Sequence, residues 1–357
     1  MVIRSAACPA PPGGVGRRSL LLGAAAWCTA AAAGCSPGPG ASAASPASRT
    51  TPPAAGTRAP AGVAASPSAP APAPSGRLPA AAPWRPGPGE IEPAAKLAAV
   101  RLVEALGTWP SGRGGPGSAA ARAAALGIAA PLAARLAAQA GPLTPAADQA
   151  VLRVIDAQYG GLLPDAASVL VPYTQSTRSG SAVHEGGTTV DVRLARTRAG
   201  WAVTALHPGR PGPPAAALGA SARAVLARPR IELPPAAAAD VRSGAVHESV
   251  LRAMLRLADT YRMSVSVVRS GHPTNVFGTG RPSDHPPGRA FDVWRVDGRP
   301  VVDPATPRSL ITAFMRAAAA AGSYNVGGPV RLSGGIGPNQ FFSDATHHDH
   351  VHVGFAG

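Results

Sequence analysis

The sequence predicts an α+β protein, on three observations. After about residue 90, apolar residues recur at helical spacing, as in Leu97, Val100, Leu102, Val103 and Leu106. The stretch TTVDVRLARTRAGWAVTALH alternates apolar and polar positions on either side of a turn. From about residue 239 to the end, amphipathic helices mix with short apolar strands. At 357 residues the chain is long enough for two domains.

The elements follow in order. Residues 1–34 have the pattern of an export signal. Arg17 and Arg18 precede an apolar run that is too short to span a bilayer comfortably, and small residues then lead to Cys35. Ala-Ala-Gly-Cys resembles a bacterial lipobox, which implies cleavage before Cys35 and lipidation of its thiol. The expected location is the outer face of the cytoplasmic membrane, with secretion as the alternative. Cys8 and Cys28 would leave with the signal, so a mature chain has no thiol or disulfide to use. Residues 35–89 are Pro, Ala, Ser, Gly and Thr with few large apolar groups, and read as a disordered linker.

Residues 90–207 read as an accessory α+β domain. Helices are expected near 90–108, 118–139 and 144–158. A β-hairpin is expected with Val190, Val192 and Leu194 opposite Trp201, Val203 and Ala205. This order of helices then hairpin resembles nuclear-transport-factor-like domains. His184 and Glu185 are expected in a solvated loop. GRGGPG at 112–117 has a dinucleotide-like glycine spacing but follows a helix and contains Pro116, so it reads as a loop. Residues 208–238, rich in Pro and Ala, read as a second linker. Residues 239–357 are expected to hold a helix in HESVLRAMLRLADTYRM and a strand in SVSVVRS. A strand in FDVWRV, a helix in PRSLITAFMRAAAAAG and a strand in VHVGF follow, with a small, mostly antiparallel sheet.

The formal net charge is +15. The basic residues are almost all Arg, scattered without basic runs, and Lys96 is the only lysine. Together with the abundance of Ala, Gly and Pro this reads as a coding bias, and no nucleic-acid partner is expected. A positive surface suits an anionic cell envelope. No obligate protein partner is indicated. Several chemistries are missing their parts. No HExxH helix, no Ser-x-x-Lys and no Gly-Lys phosphate loop occurs.

Six of the nine His follow residue 271: His272, His285, His347, His348, His350 and His352. In HHDHVHVGF, alternation on a strand puts His350 and His352 on one face. In SDHPPGRAFD, a Pro/Gly loop lets His285 fold back toward Asp292. Two His and one carboxylate make a three-ligand set with a fourth position open, the arrangement of catalytic zinc. His347 and His348 are expected behind the ligands or at the surface and not on the metal, and Asp284 is expected to be solvated.

Ser283, His285, Gly288, Ala290 and Asp292, with His350 and His352, resemble the zinc peptidases that include D-Ala-D-Ala carboxypeptidases, murein endopeptidases and lysostaphin-like enzymes. Those enzymes share their fold with the hedgehog signalling domain. The resemblance spans about residues 240–357. It implies that His285, Asp292 and His352 hold Zn2+, that His350 serves the reaction beside the metal, and that Ser283 helps to bind substrate. Carboxypeptidase members place a Glu as general base three residues before the last zinc His, where this chain has Asp349. Endopeptidase-like members use the first His of the His-x-His pair, here His350. Carboxypeptidase members often have a Ser-Gly-Tyr-Arg segment whose Arg binds substrate; in RSGHP here, His272 stands in the place of the Tyr and Arg269 is the nearby cation for that role. The expected function is hydrolysis of peptidoglycan stem or cross-link peptides. The alternative is a zinc-containing wall-binding module without activity.

Overall fold

The computed structural model describes residues 77–356. The signal, Cys35 and most of the first linker therefore lie outside the described residues. Residues 77–89 form no helix or strand, yet Leu78 is buried and the Trp84 amide donates to Glu104 at 2.8 Å.

The first lobe begins with three helices, α1 (Pro93–Gly107), α2 (Pro116–Ala124) and α3 (Ala130–Gln139). Each has Pro in its first turn, where the missing amide hydrogen costs no helical bond. One buried face of α1 carries Ala95, Ala99, Leu102, Val103 and Leu106. The helix expected over 118–139 is two helices, with Gly127 in the left-handed region between them.

Six strands follow: β1 (Gln149–Val154), β2 (Gln158–Leu162), β3 (Ala166–Ser179), β4 (Ala182–Gly186), β5 (Thr189–Thr197) and β6 (Gly200–Pro208). The helix expected over 144–158 is corrected: those residues contain β1. Its Ala150, Leu152 and Val154 are buried with period two, and they gain a partner strand in β3. His184 and Glu185 lie on the exposed strand β4 instead of in a loop. The expected hairpin is present as β5–β6, paired from Val190↔Pro208 to Thr197↔Gly200. The sheet order is β1-β3-β5-β6. The long β3 changes partners near Pro172: its first half pairs with β2 and β5, its second with β1 and β4.

The second lobe contains α4 (Ala220–Ala227), β7 (Ile231–Glu232), α5 (Pro235–Arg242), α6 (Glu248–Ala258) and β8 (Met263–Val267). It continues with β9 (Ala290–Val296), β10 (Arg299–Pro300), α7 (Arg308–Ala320), β11 (Asn325–Gly327), β12 (Phe341–Phe342) and β13 (Val351–Gly354). The linker expected over 208–238 thus carries ordered elements. Ala222, Val225, Ile231 and Ala237 join this lobe's core, so small residues there are packing rather than spacing. The sheet order is β12-β11-β13-β9-β8-β7, antiparallel at β11-β13, β13-β9 and β9-β8, and parallel at its two outer pairs.

Each lobe has its own apolar core, and both belong to one compact unit. Mixed helix and sheet fit the α+β expectation. No helix of the described residues is long and apolar enough to cross a membrane.

Candidate metal centre between the lobes

The central antiparallel pair of the second sheet builds the site. On β9, Phe291 and Val293 enter the core, so Asp292 faces the other side. On β13, Val351 and Val353 enter the same core and His352 faces out. His352 is the direct cross-strand partner of Asp292, so the two side chains meet: His352 Nδ1 lies 3.1 Å from Asp292 Oδ1. His285 arrives from the Pro/Gly loop. That loop turns at Gly288, at φ 79°, whose amide donates to the His285 carbonyl at 2.8 Å. A Cβ there would overlap the Ala245 carbonyl, so only glycine fits.

His285 Nδ1 donates to the Val268 carbonyl at 2.7 Å, leaving Nε2 as a bare lone pair. Nε2 lies 3.1 Å from His352 Nδ1 and 3.2 Å from Asp292 Oδ1. The three atoms form a nearly equilateral triangle, and two of them have only electron pairs to offer one another. A cation resolves that conflict. Around zinc at about 2.0–2.1 Å, tetrahedral ligand atoms sit about 3.3 Å apart, close to the spacing seen. The residues present therefore fit the ion.

His272, His285 and Asp292 also form a group able to hold a metal, their ligand atoms all within 4.8 Å of one another. We favour His352 over His272 as the third ligand on geometry. The His272 ring stacks on His285, centroids 4.0 Å apart and planes 15° apart. Lone pairs of imidazoles lie in the ring plane, so nearly parallel rings direct them along parallel lines, not to one point. His272 Nδ1 instead contacts the Pro273 carbonyl at 3.0 Å and Ser283 Oγ at 3.3 Å.

His350 precedes β13, yet its ring reaches the same place: Nε2 is 3.8 Å from Asp292 Oδ2. Its Nδ1 pairs with Asp349 Oδ1 at 2.6 Å. Asp349 ends a short 3₁₀ turn, Thr346–His348, and points away from the metal triangle. Its other oxygen, Oδ2, receives Lys96 Nζ at 2.6 Å and the Tyr159 amide at 3.0 Å. Asp349 thus sits behind His350 with both oxygens engaged. Arg269 turns away as well, its Nε donating to the Pro286 carbonyl at 2.8 Å. Ser283 is buried at the cavity wall, and its Oγ accepts the His285 amide at 3.3 Å. His347 pairs with Asp344 at 2.7 Å and edges the site, while His348 bonds the Gly89 carbonyl at 2.9 Å. Asp284 takes the Tyr324 hydroxyl at 2.6 Å.

A cavity of about 820 Å³ opens onto the centre. His272, Ser283, His285, His350 and His352 form one wall, and residues Tyr159–Leu163 of the first lobe form another. A smaller cavity of about 600 Å³, between α1, α2 and β1, is lined by small and apolar residues together with Arg101, Glu104 and Arg122, and no His lines it.

The electrostatics favour metal binding. Burial pushes the Asp292 carboxyl up, but His285 and His350 outweigh it and hold it well below the usual range. Burial pulls His352 down to about 4, against the pull of Asp292, so it is neutral near pH 7. His272 is also lowered, by burial and by His285. His350 is raised: burial disfavours its charge, but Asp292 and Asp349 win.

The first-lobe residues are those the sequence did not single out for this site. Gln158 Nε2 donates to Asp292 Oδ2 at 2.6 Å. Lys96 is fully buried, 2.5 Å from Glu90 Oε2 as well as bound to Asp349. The one available signal was that Lys96 is the chain's only lysine. Comparisons with protein-family models, curated proteins and solved structures return no match.

Proposed function

We propose that the protein is a zinc-dependent peptidase that hydrolyses peptidoglycan stem or cross-link peptides at the cell envelope. The observation that carries the chemistry is the triangle of His285 Nε2, Asp292 Oδ1 and His352 Nδ1 with His350 beside it on a cavity wall. The wall-peptide substrate rests on the resemblance of Ser283–Asp292 and His350–His352 to murein peptidases. The export signal ending at Cys35, read as a lipid anchor on the outer face of the cytoplasmic membrane, points the same way.

His285, Asp292 and His352 would hold the ion. Bound zinc supplies Lewis acidity, lowering the pKa of water toward about 7 and polarising a carbonyl. His350 is the general base and then the acid. With its Nδ1–H donated to Asp349, its Nε2 takes the proton from the attacking water and returns one to the leaving amine nitrogen. Asp349 holds the ring and its tautomer, and the proton is not passed to it. Ser283 and His272 line the side from which a peptide enters.

The test is metal analysis of the purified chain, then mass spectrometry of digested peptidoglycan with and without a chelator. Stoichiometric zinc and chelator-sensitive cleavage of a peptide bond support the proposal. Zinc with no cleavage, but binding to purified wall, would replace it with the non-catalytic binding module.

A further inference from the structure

We propose that Gln158, on β2 of the first lobe, is a positioning residue of the metal centre that decides which oxygen of Asp292 is left for the ion. The inference rests on the zinc reading above. Gln158 is fully buried, and both ends of its amide are used. Nε2 donates to Asp292 Oδ2 at 2.6 Å, and Oε1 accepts from the Ser266 hydroxyl on β8. An ionised carboxylate can only accept, so Asp292 fixes the orientation of the amide, and the Ser266 hydroxyl, which can donate or accept, donates to the oxygen end that is left. The carbonyl end turns to Ser266 and the NH₂ end to the carboxylate.

The consequence lies at Asp292. Its two oxygens are chemically equivalent until something distinguishes them. Oδ2 is tied to Gln158, and Oδ1 faces His285 and His352 at 3.2 and 3.1 Å. One oxygen is thereby presented to the ion, which keeps the ligand count at three and a fourth position open. The donor is also neutral. A lysine or arginine in its place would cancel the charge that attracts a cation, whereas an amide orients the carboxylate and leaves its charge intact.

The strand that brings Gln158 is itself clamped over the site. Gln158 is paired with Leu170 of β3, the next amide, Tyr159, donates to Asp349, and the Leu162 amide donates to Thr346 Oγ1 at 3.0 Å. Gly161 lies against the Phe277 ring, which leaves no room for a Cβ, so strand and cavity wall are in direct contact. The first lobe is therefore the outer layer of the centre, not a module tethered beside it.

The test uses the full chain. Zinc affinity is measured by competition with a chromophoric chelator, for wild type, Gln158→Met and Ser266→Ala. Methionine keeps the length and volume of glutamine and removes the donor. The expected result is about 10- to 100-fold weaker zinc binding in Gln158→Met and a smaller loss in Ser266→Ala. Substituted Co2+ gives a second readout. Freeing Oδ2 lets Asp292 bind through both oxygens, so visible absorption weakens as coordination number rises. A residue that only fills space would move neither readout in the methionine variant. Should Gln158→Met fail to fold, Ser266→Ala read by both methods decides. Folded variants with wild-type zinc affinity and an unchanged cobalt spectrum overturn this inference alone. A wild-type chain that binds no zinc overturns it together with the zinc reading.

Discussion

Replacing Lys96 with methionine removes the only basic group among the buried carboxylates behind His350. In the native chain its ammonium lies 2.5 Å from Glu90, 2.6 Å from Asp349 and 4.9 Å from the centre of the Tyr159 ring. Methionine keeps most of the stem, so the perturbation is chiefly electrostatic. Breaking one side of a buried ion pair costs about 3–5 kcal/mol, and the Asp349 charge would be left with only the His350 ring and the Tyr159 amide. For a protein of this size that corresponds to a melting temperature lower by roughly 6–20 °C. The acid limb should move too. Burial raises the Asp349 carboxyl, but Lys96 leads the interactions that bring it down to about 2. A carboxyl lowered from 3.8 contributes stability that is present above about pH 4 and is lost as pH falls toward 2. Without Lys96 that loss begins at higher pH. The assay is thermal melting by circular dichroism across pH for wild type, Lys96→Met, Asp349→Asn and the double variant. The two effects should be non-additive, since the amide removes the orphaned charge that the methionine creates. Zinc content should stay at the wild-type level, because Lys96 touches none of the three ligands. A Lys96→Met chain that melts with the wild type, or a double variant that is simply additive, refutes the reasoning.

Two further outcomes follow from the same geometry. His352→Ala should lose both zinc and peptide cleavage, whereas His350→Ala should keep zinc and lose cleavage, as read by metal analysis and by mass spectrometry of digests. Activity that survives His352→Ala would remove the mechanism. Burial pushes Glu90 up from 4.5 to about 7 against the pull of Lys96. A raised carboxyl pKa contributes stability present below about pH 4.5 and lost as pH rises through 7. Melting temperature should therefore fall between pH 5 and 8 in the wild type and fall less in Glu90→Gln. Parallel pH profiles of the two chains would contradict that account.

Periodic and local features could be read directly. The β5–β6 hairpin, α6 and α7 show because burial repeats with the period of the element. His285, Asp292 and His352 show because two sit at matched positions of strands and the third lies in a loop only glycine can turn. Where small residues dominate, periodicity carries little contrast, which explains β1 read as helix and α4, β7 and α5 read as linker. The strand starts at Val351, so the 3₁₀ turn before it sets where Asp349 and His350 point. The places of Gln158 and Lys96 at the site are not legible for a different reason. Their partners, Asp292 and Asp349, are more than a hundred residues away, and no local pattern encodes such a pairing.

The single lysine then acquires a physical explanation. In a chain with 33 basic residues, all the others are arginine. Whatever favours arginine elsewhere acts on codons or on exposed surface, where the two cations serve almost equally. Position 96 is fully buried, between two carboxylates that approach from different directions and over an aromatic face. A compact ammonium offers three donors that can diverge to separate acceptors. A guanidinium is planar and wider, and it pairs best with one carboxylate in its own plane. Geometry therefore excludes arginine where composition would supply it. The same geometry ties α1 to Asp349 and, through it, to the His350 ring. A lysine buried where it is costly to keep is better explained by holding Asp349, and with it the His350 ring, in place than by stabilising the fold, since an apolar pair of equal volume would stabilise as well.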